Sequence, residues 1–177
     1  MSINCIRTLI ESAVSSHSDK TALIFNEKSI TYAELFNKVN QVAFYLKELD
    51  LPKDSRIGIY SHKGIEQVIA VLAILSTDYV FVPLTTLLKP EQVEYIINDC
   101  DIKCIITDKR HVESIEEVEF NGKVISYETT NKDIASFEEI YKYYNKPYEC
   151  NINSYSNAVI TYSFGVSGRP KGIVISH

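Results

Sequence analysis

The densest run of chemistry-bearing residues is Ser163-Phe164-Gly165-Val166-Ser167-Gly168-Arg169-Pro170-Lys171-Gly172. Three of the chain's six glycines fall between Gly165 and Gly172. Glycine lets backbone amides turn toward an anion with no Cβ in the way, hydroxyls add donors, and lysine neutralises phosphate charge. The segment is therefore suited to cradling phosphate. The same residues also suit an ordinary Gly/Pro hairpin between two strands, and composition leaves both readings open. A Walker-type loop is excluded: it needs Gly-Lys-Ser/Thr opening a helix, whereas Pro170 precedes Lys171 and an apolar strand, Ile173 to Ile175, follows.

Other reactive residues carry less. Cys5, Cys100, Cys104 and Cys150 are too few and too irregularly spaced for a disulfide scaffold. Cys100 and Cys104 lack a nearby His or second Cys pair to complete a tetrahedral metal set, so they are expected to be buried apolar filler. His17, His62 and His111 fall at element ends, and the sequence places no Ser or Cys beside them, which argues against a hydrolase triad. Asp99 and Asp101 flank Cys100 at a helix end and read as solvated turn formers. Tyr127 to Asn157 holds six of the twelve tyrosines. They could stack an aromatic ligand, but without a basic groove the expected role is a surface excursion whose rings cover the sheet edge.

These residues must be positioned by a packed domain, and the composition allows one. The chain has 177 residues, 45% apolar and 23% charged, which fits a globular domain with its own core. Its 18 Lys and Arg against 23 Asp and Glu give −5, with no clustered basic stripe, which argues against nucleic acid as a partner. The longest apolar run, Val68 to Leu75, is far short of the ~18 residues of a membrane span, and no basic segment precedes an apolar block at the N-terminus. The expected location is cytoplasmic.

Ile6, Leu9, Ile10 and Val14 have helical spacing within Ile3 to Val14. Thr21 to Phe25 and Ser29 to Thr31 flank Asn26-Glu27-Lys28, a hairpin signal. Thr31 with Glu34 has capping-box spacing, and Leu35, Val39, Val42, Leu46 and Leu49 form the apolar stripe of the helix that follows. Arg56 to Tyr60, Val80 to Val82, Cys104 to Thr107 and Lys123 to Ser126 read as strands. Gly64 to Leu75, Pro90 to Asp99 and Ser136 to Tyr144 read as helices, and Ala158 to Tyr162 as the strand before the loop. The alternation predicts an α/β fold, a mostly parallel sheet flanked by helices.

Tyr162 to Gly172 resembles, without a gap, the phosphate loop Y-T-S-G-T-T-G-K-P-K-G of the adenylate-forming (AMP-binding) enzymes: acyl-CoA and aryl-CoA synthetases, peptide-synthetase adenylation domains and firefly luciferase. Upstream, Ile30-Thr31-Tyr32-Ala33-Glu34-Leu35 is similar to the family's L-T-Y-x-E-L. Arg56-Ile57-Gly58-Ile59 is similar to R-V-G-I, and Leu72-Ala73-Ile74-Leu75 with Val80-Phe81-Val82-Pro83-Leu84 to L-A-x-L-K-A-G-x-A-Y-V-P-L. The resemblance covers nearly the whole chain. It implies the first part of the family's large N-terminal domain and a two-step reaction: a carboxylic acid and ATP with Mg²⁺ give an acyl-adenylate and pyrophosphate, then coenzyme A or a carrier phosphopantetheine displaces AMP. It assigns Ser163, Gly165, Ser167, Gly168 and Lys171 to the β- and γ-phosphates. A small carboxylic acid and an acyl carrier protein are the partners it implies.

Phe164 and Val166 depart from the pattern by replacing small or hydroxyl residues. At roughly 1.5 to 3 kcal/mol per hydrogen bond to a charged group, each missing donor is expected to weaken triphosphate binding by ~10-fold or more. Ser76-Thr77-Asp78-Tyr79 replaces the family's K-A-G-x turn and puts that turn's geometry in question. The resemblance places the adenine site, the Mg²⁺ glutamate, the ribose aspartate and the catalytic lysine beyond His177. Residues 1–177 are thus expected to be the N-terminal portion of an adenylation domain, inactive alone and prone to self-association along an uncovered final strand. The alternatives are a naturally truncated, non-catalytic binding module and a fragment of an amino-acid adenylation domain. Leu87 to Val93, leading to Asn98-Asp99-Cys100, looks closer to acyl-CoA ligases.

Overall fold

The computed structural model describes residues 5–130, 132–144, 148, 152, 154–163 and 170–177. Helix α1, Ile6–His17, precedes a small antiparallel hairpin of β1, Thr21–Phe25, and β2, Lys28–Thr31. Asn26 turns that hairpin at a φ of 53°, a left-handed backbone that asparagine tolerates. Helix α1 starts and ends three residues later than the sequence suggests. Ser15 sits inside it with its hydroxyl donating to the Glu11 carbonyl (2.8 Å), so its polar group is satisfied within the helix. Arg7, buried, ties α1 to the next helix through Asn40 Oδ1 at 2.7 Å.

That helix, α2, Tyr32–Glu48, starts on the expected capping box: the Glu34 amide donates to Thr31 Oγ1 (3.2 Å) and the Thr31 amide to Glu34 Oε2 (2.8 Å). The remaining elements are β3 (Arg56–Tyr60), α3 (Ile65–Ile74), β4 (Val80–Leu84), α4 (Pro90–Asp99) and β5 (Ile102–Thr107). After them come α5 (Val112–Glu116), β6 (Lys123–Ser126), β7 (Ala135–Ser136), α6 (Phe137–Tyr143), β8 (Asn157–Ser163) and β9 (Lys171–Ser176). The large sheet runs β7-β6-β5-β3-β4-β8-β9, parallel throughout except for the antiparallel β8–β9 pair.

The central strands β3, β4 and β5 are covered on both faces, as their near-continuous apolar sequences require. Ile57, Ile59, Cys104, Ile106 and Ile125 point into one core with residues of α2, α3 and α6. Tyr60, Val82, Leu84, Ile102 and Ile105 point into the other with residues of α4 and α5. The Ser76–Tyr79 turn closes without glycine. Ser76 and Thr77 hydroxyls donate to the Leu72 and Ile74 carbonyls at 2.7 and 2.6 Å, capping α3, and Asp78 receives Lys47 at 2.6 Å. None of the four residues needs a positive φ, so the departure from the family pattern is accommodated by hydroxyl capping.

The Tyr127–Asn157 segment corrects the sequence reading. Tyr127, Phe137 and Ile140 are core residues, and α6 packs on α2, so part of this excursion belongs to the interior. At the opposite side, β9 ends the sheet with Ile173, Val174 and Ile175 52%, 58% and 48% exposed. An apolar edge strand with unpaired amides is a template for association. The chain is therefore expected to show concentration-dependent self-association in light scattering, reduced by Val174→Lys. A monomer with Gly172 to Ser176 amides protected from hydrogen exchange would overturn this.

Candidate functional site

Strands β8 and β9 are the two stems of the glycine-rich loop. Their register sets Tyr162 opposite Gly172 and Ser163 opposite Lys171. Directly paired residues share a face of the sheet, so a hydroxyl and an ammonium stand side by side at the loop's mouth, both exposed. Because β8 runs parallel to β4, the loop leaves from the carboxyl edge of the parallel strands, the edge where open α/β sheets bind ligands. Of the five residues the sequence singles out, the structure brings Ser163 and Lys171 together. Gly165, Ser167 and Gly168 lie outside the described residues, as do Phe164 and Val166. The β-hairpin reading is also correct as geometry: the stems are antiparallel neighbours.

Helix α4 holds both stems. Tyr162 donates its hydroxyl to Asp99 Oδ2 at 2.6 Å. The Tyr95 hydroxyl lies 3.4 Å from Asp99 Oδ1 and 3.3 Å from the Pro170 carbonyl, so one helix face reaches the residue before the loop and the residue closing it. Burial and the Asp99 carboxylate together raise the Tyr162 pKa well above the ordinary phenol value, which keeps the donor protonated. Gly172 leaves room for the tyrosine ring. A Cβ there would lie 3.2 Å from both Tyr162 Cζ and Ile160 Cγ2, because the tyrosine ring lies across the glycine.

Sequence reasoning missed this clamp. Its one local signal is Tyr95 and Asp99 at i, i+4 on one helical face, and nothing local says that the face meets Tyr162. Asp101 does serve as a turn residue, at φ 53° after α4, and it also pairs with Arg56 (3.0 Å) and Lys103 (2.5 Å). The cysteines behave as filler. Cys5, Cys100 and Cys104 are buried, burial pushes the Cys104 thiol up to about 12, and the Cys100 thiol donates to the Ile96 carbonyl. Cys150 lies outside the described residues. His17 is exposed at the end of α1, whereas His62 and His111 converge on Asp108 and not on a serine or cysteine.

Residues 10–177 match the family model described as AMP-binding enzyme. The chain belongs to the AMP-binding enzyme family. Among its relatives is tyrocidine synthase 1 of Brevibacillus parabrevis, 28% identical over 97% of this chain and 15% of that protein. Another is the zwittermicin A synthase ZmaJ of Bacillus cereus, 30% identical over 98% of this chain and 31% of that protein. The chain thus spans less than a third of either relative. Its fold matches the anthranilate CoA ligase AuaEII, solved with anthranoyl-AMP, at a TM-score of 0.90 and 24% identity, over the whole of this chain and 36% of that one. The N-terminal subdomain of Klebsiella oxytoca NpsA, solved with 3-hydroxyanthranilyl-AMSN, matches at 0.79 and 19% identity over 98% of this chain and 41% of its own. These AMP-binding folds share the α/β architecture described above.

Proposed function

We propose that the chain is the N-terminal portion of an ATP-dependent ligase that activates a carboxylic acid as an acyl-adenylate and transfers it to a thiol. The observation that carries this is the facing pair Ser163 and Lys171 at the mouth of a family-type phosphate loop on the sheet's carboxyl edge. That donor set fits a polyphosphate: a lysine to neutralise charge and a hydroxyl to donate, held by stems that α4 clamps. In this reading a carboxylate oxygen attacks the α-phosphorus and pyrophosphate leaves. A thiolate then attacks the acyl carbonyl and AMP leaves. Ser163, Gly165, Ser167, Gly168 and Lys171 hold the β- and γ-phosphates. Bound Mg²⁺ would neutralise phosphate charge. Asp99 accepts from Tyr162 and Tyr95 and so serves to hold the stems.

The acceptor is coenzyme A or a carrier phosphopantetheine. The Leu87 to Val93 stretch supports an acyl-CoA ligase, while the peptide-synthetase relatives support an amino-acid adenylation domain with a carrier-protein partner. No helix among the described residues is long and apolar enough to cross a membrane, and a cytoplasmic location, where ATP is supplied, suits this reading.

Acid-dependent exchange of labelled pyrophosphate into ATP tests it, offered aryl, fatty and amino acids in separate panels. The 177-residue chain is expected to give none, and any longer product of the same reading frame to exchange with one class of acid. Exchange with amino acids alone would select the adenylation-domain reading. Robust exchange by the chain itself would overturn the fragment reading, and silence from the longer product would overturn the ligase.

A further inference from the structure

Strand β5 lies beside β3, on the side away from β4, so the chain doubles back across the sheet to reach it. At such a reversal the connections leave the carboxyl ends of the two central strands in opposite directions and open a crevice between them. Ligands of open α/β sheets bind in that crevice. Three metal-ligating side chains meet there. His62 stands two residues beyond β3, Asp108 directly follows β5, and His111 caps α5. His62 Nδ1 is 3.1 Å from Asp108 Oδ2 and His111 Nδ1 is 2.7 Å from Asp108 Oδ1. The two imidazoles are 4.6 Å apart, and one ligand atom from each of the three residues lies within 4.8 Å of the others. Among the described residues this is the only such group of three.

The carboxylate is rigidly placed. The amides of His62, Arg110 and His111 donate to it at 2.8, 3.0 and 3.1 Å. The His111 ring is fixed edge-on against Tyr60, centroids 5.1 Å apart, and its side chain is only 13% exposed. The His62 side chain is 56% exposed and has room to adjust. His62 and Asp108 line a cavity of about 750 Å³ together with Lys63, Glu66, Arg110 and Glu128.

We propose that His62, Asp108 and His111 form a Zn²⁺ site at this switch point. Two imidazoles and a carboxylate are a borderline donor set, suited to zinc rather than to the all-oxygen shells of Mg²⁺ and Ca²⁺. Ligands of a tetrahedral zinc with bonds of about 2.1 Å stand about 3.4 Å apart, so His62 Nδ1 at 3.1 Å and His111 Nδ1 at 2.7 Å from the two carboxylate oxygens need to move outward by less than about 1 Å. A metal here would take the Nδ1 lone pair of each imidazole, with the ring proton on Nε2. Three protein ligands leave a fourth position facing the cavity, open to water or a small carboxylate. The site lies on a different part of the sheet from β8, the first stem of the glycine-rich loop. Three strand spacings of about 4.8 Å, roughly 14 Å, lie between β5 and β8.

The test is titration of the EDTA-stripped 177-residue chain with Co²⁺ and then Zn²⁺, read by the visible absorption of bound cobalt. One equivalent of Co²⁺ is expected to give a band that one equivalent of Zn²⁺ removes. His62→Gln and His111→Gln are each expected to weaken binding at least about tenfold, and His17→Gln to leave it unchanged. Because His62 is half-exposed, His62→Gln is also expected to keep the EDTA melting temperature within ~2 °C, and it alone decides if His111→Gln misfolds. Absence of stoichiometric binding, or binding that His62→Gln leaves intact, would overturn the site. No ligase activity enters this readout, so its failure is distinct from failure of the proposed function.

Discussion

Lys171→Ala is expected to lower acid-dependent pyrophosphate exchange, measured in any longer product of the reading frame that the proposed function predicts to be active, roughly 10- to 150-fold, the equivalent of one lost charge-assisted contact of about 1.5 to 3 kcal/mol. The loss should appear at limiting ATP, because the contact proposed for Lys171 is to the nucleotide's phosphates. A ammonium at the loop mouth also acts through its long-range field, and that contribution needs its own control. Lys123 supplies it. It is exposed at the start of β6, on the amino edge of the same sheet, so Lys123→Ala makes the same change in net charge at the far edge from the loop. The long-range share is screened within about 10 Å at ordinary salt, so Lys123→Ala is expected to change exchange less than about twofold. Equal losses in the two variants would show that Lys171 contributes only general charge. Binding of inorganic triphosphate to the 177-residue chain itself gives a second measurement of the same difference.

The loop could be identified from sequence because its chemistry is contiguous: hydroxyls, glycines and a lysine lie within ten residues. Several elements were legible for a similar reason. Arg56–Tyr60, Pro90–Asp99 and Lys123–Ser126 have in the structure the bounds their local patterns give, and the Thr31–Glu34 cap closes as its spacing requires. What stayed hidden depends on partners distant in the chain. Tyr162 meets Asp99 across 63 residues because β8 pairs with β4, and His62 meets Asp108 across 46 because β3 pairs with β5, pairings that no local pattern displays. Helix α5, at five residues, and β7, at two, are too short to show a period.

The polar stretch after Tyr127 was misread for a different reason: its average composition hides a few decisive side chains. Ser136-Phe137-Glu138-Glu139 carries a complete capping box. The Glu139 amide donates to Ser136 Oγ at 3.3 Å and the Ser136 amide to Glu139 Oε2 at 3.1 Å. That cap fixes where α6 starts and so turns its first residue inward. Phe137 is fully buried, its ring 5.1 Å from that of Tyr127 and 5.8 Å from that of Tyr141. Tyr127 in turn shares a buried hydrogen bond with Ser61 at the end of β3 (2.9 Å), so this cluster joins α6 to the centre of the sheet.

Phe137→Ala is therefore expected to destabilise the chain by about 3 to 5 kcal/mol in urea unfolding, the range for emptying a large buried aromatic site. Tyr143, in the same helix but 78% exposed, is the control. Tyr143→Ala removes a ring of similar size from solvent and should cost no more than about 0.5 kcal/mol. A segment that merely drapes the sheet edge predicts similar small effects for both, since neither ring would be removed from a closed interior. A difference below about 1 kcal/mol between the two variants would restore the surface reading, whereas the expected gap makes α6 part of the core that supports the carboxyl edge. The unfolding slope separates these cases from a change in the unfolded state. If Phe137 acts through native packing, the midpoint shifts while the slope, which follows the surface exposed on unfolding, stays constant.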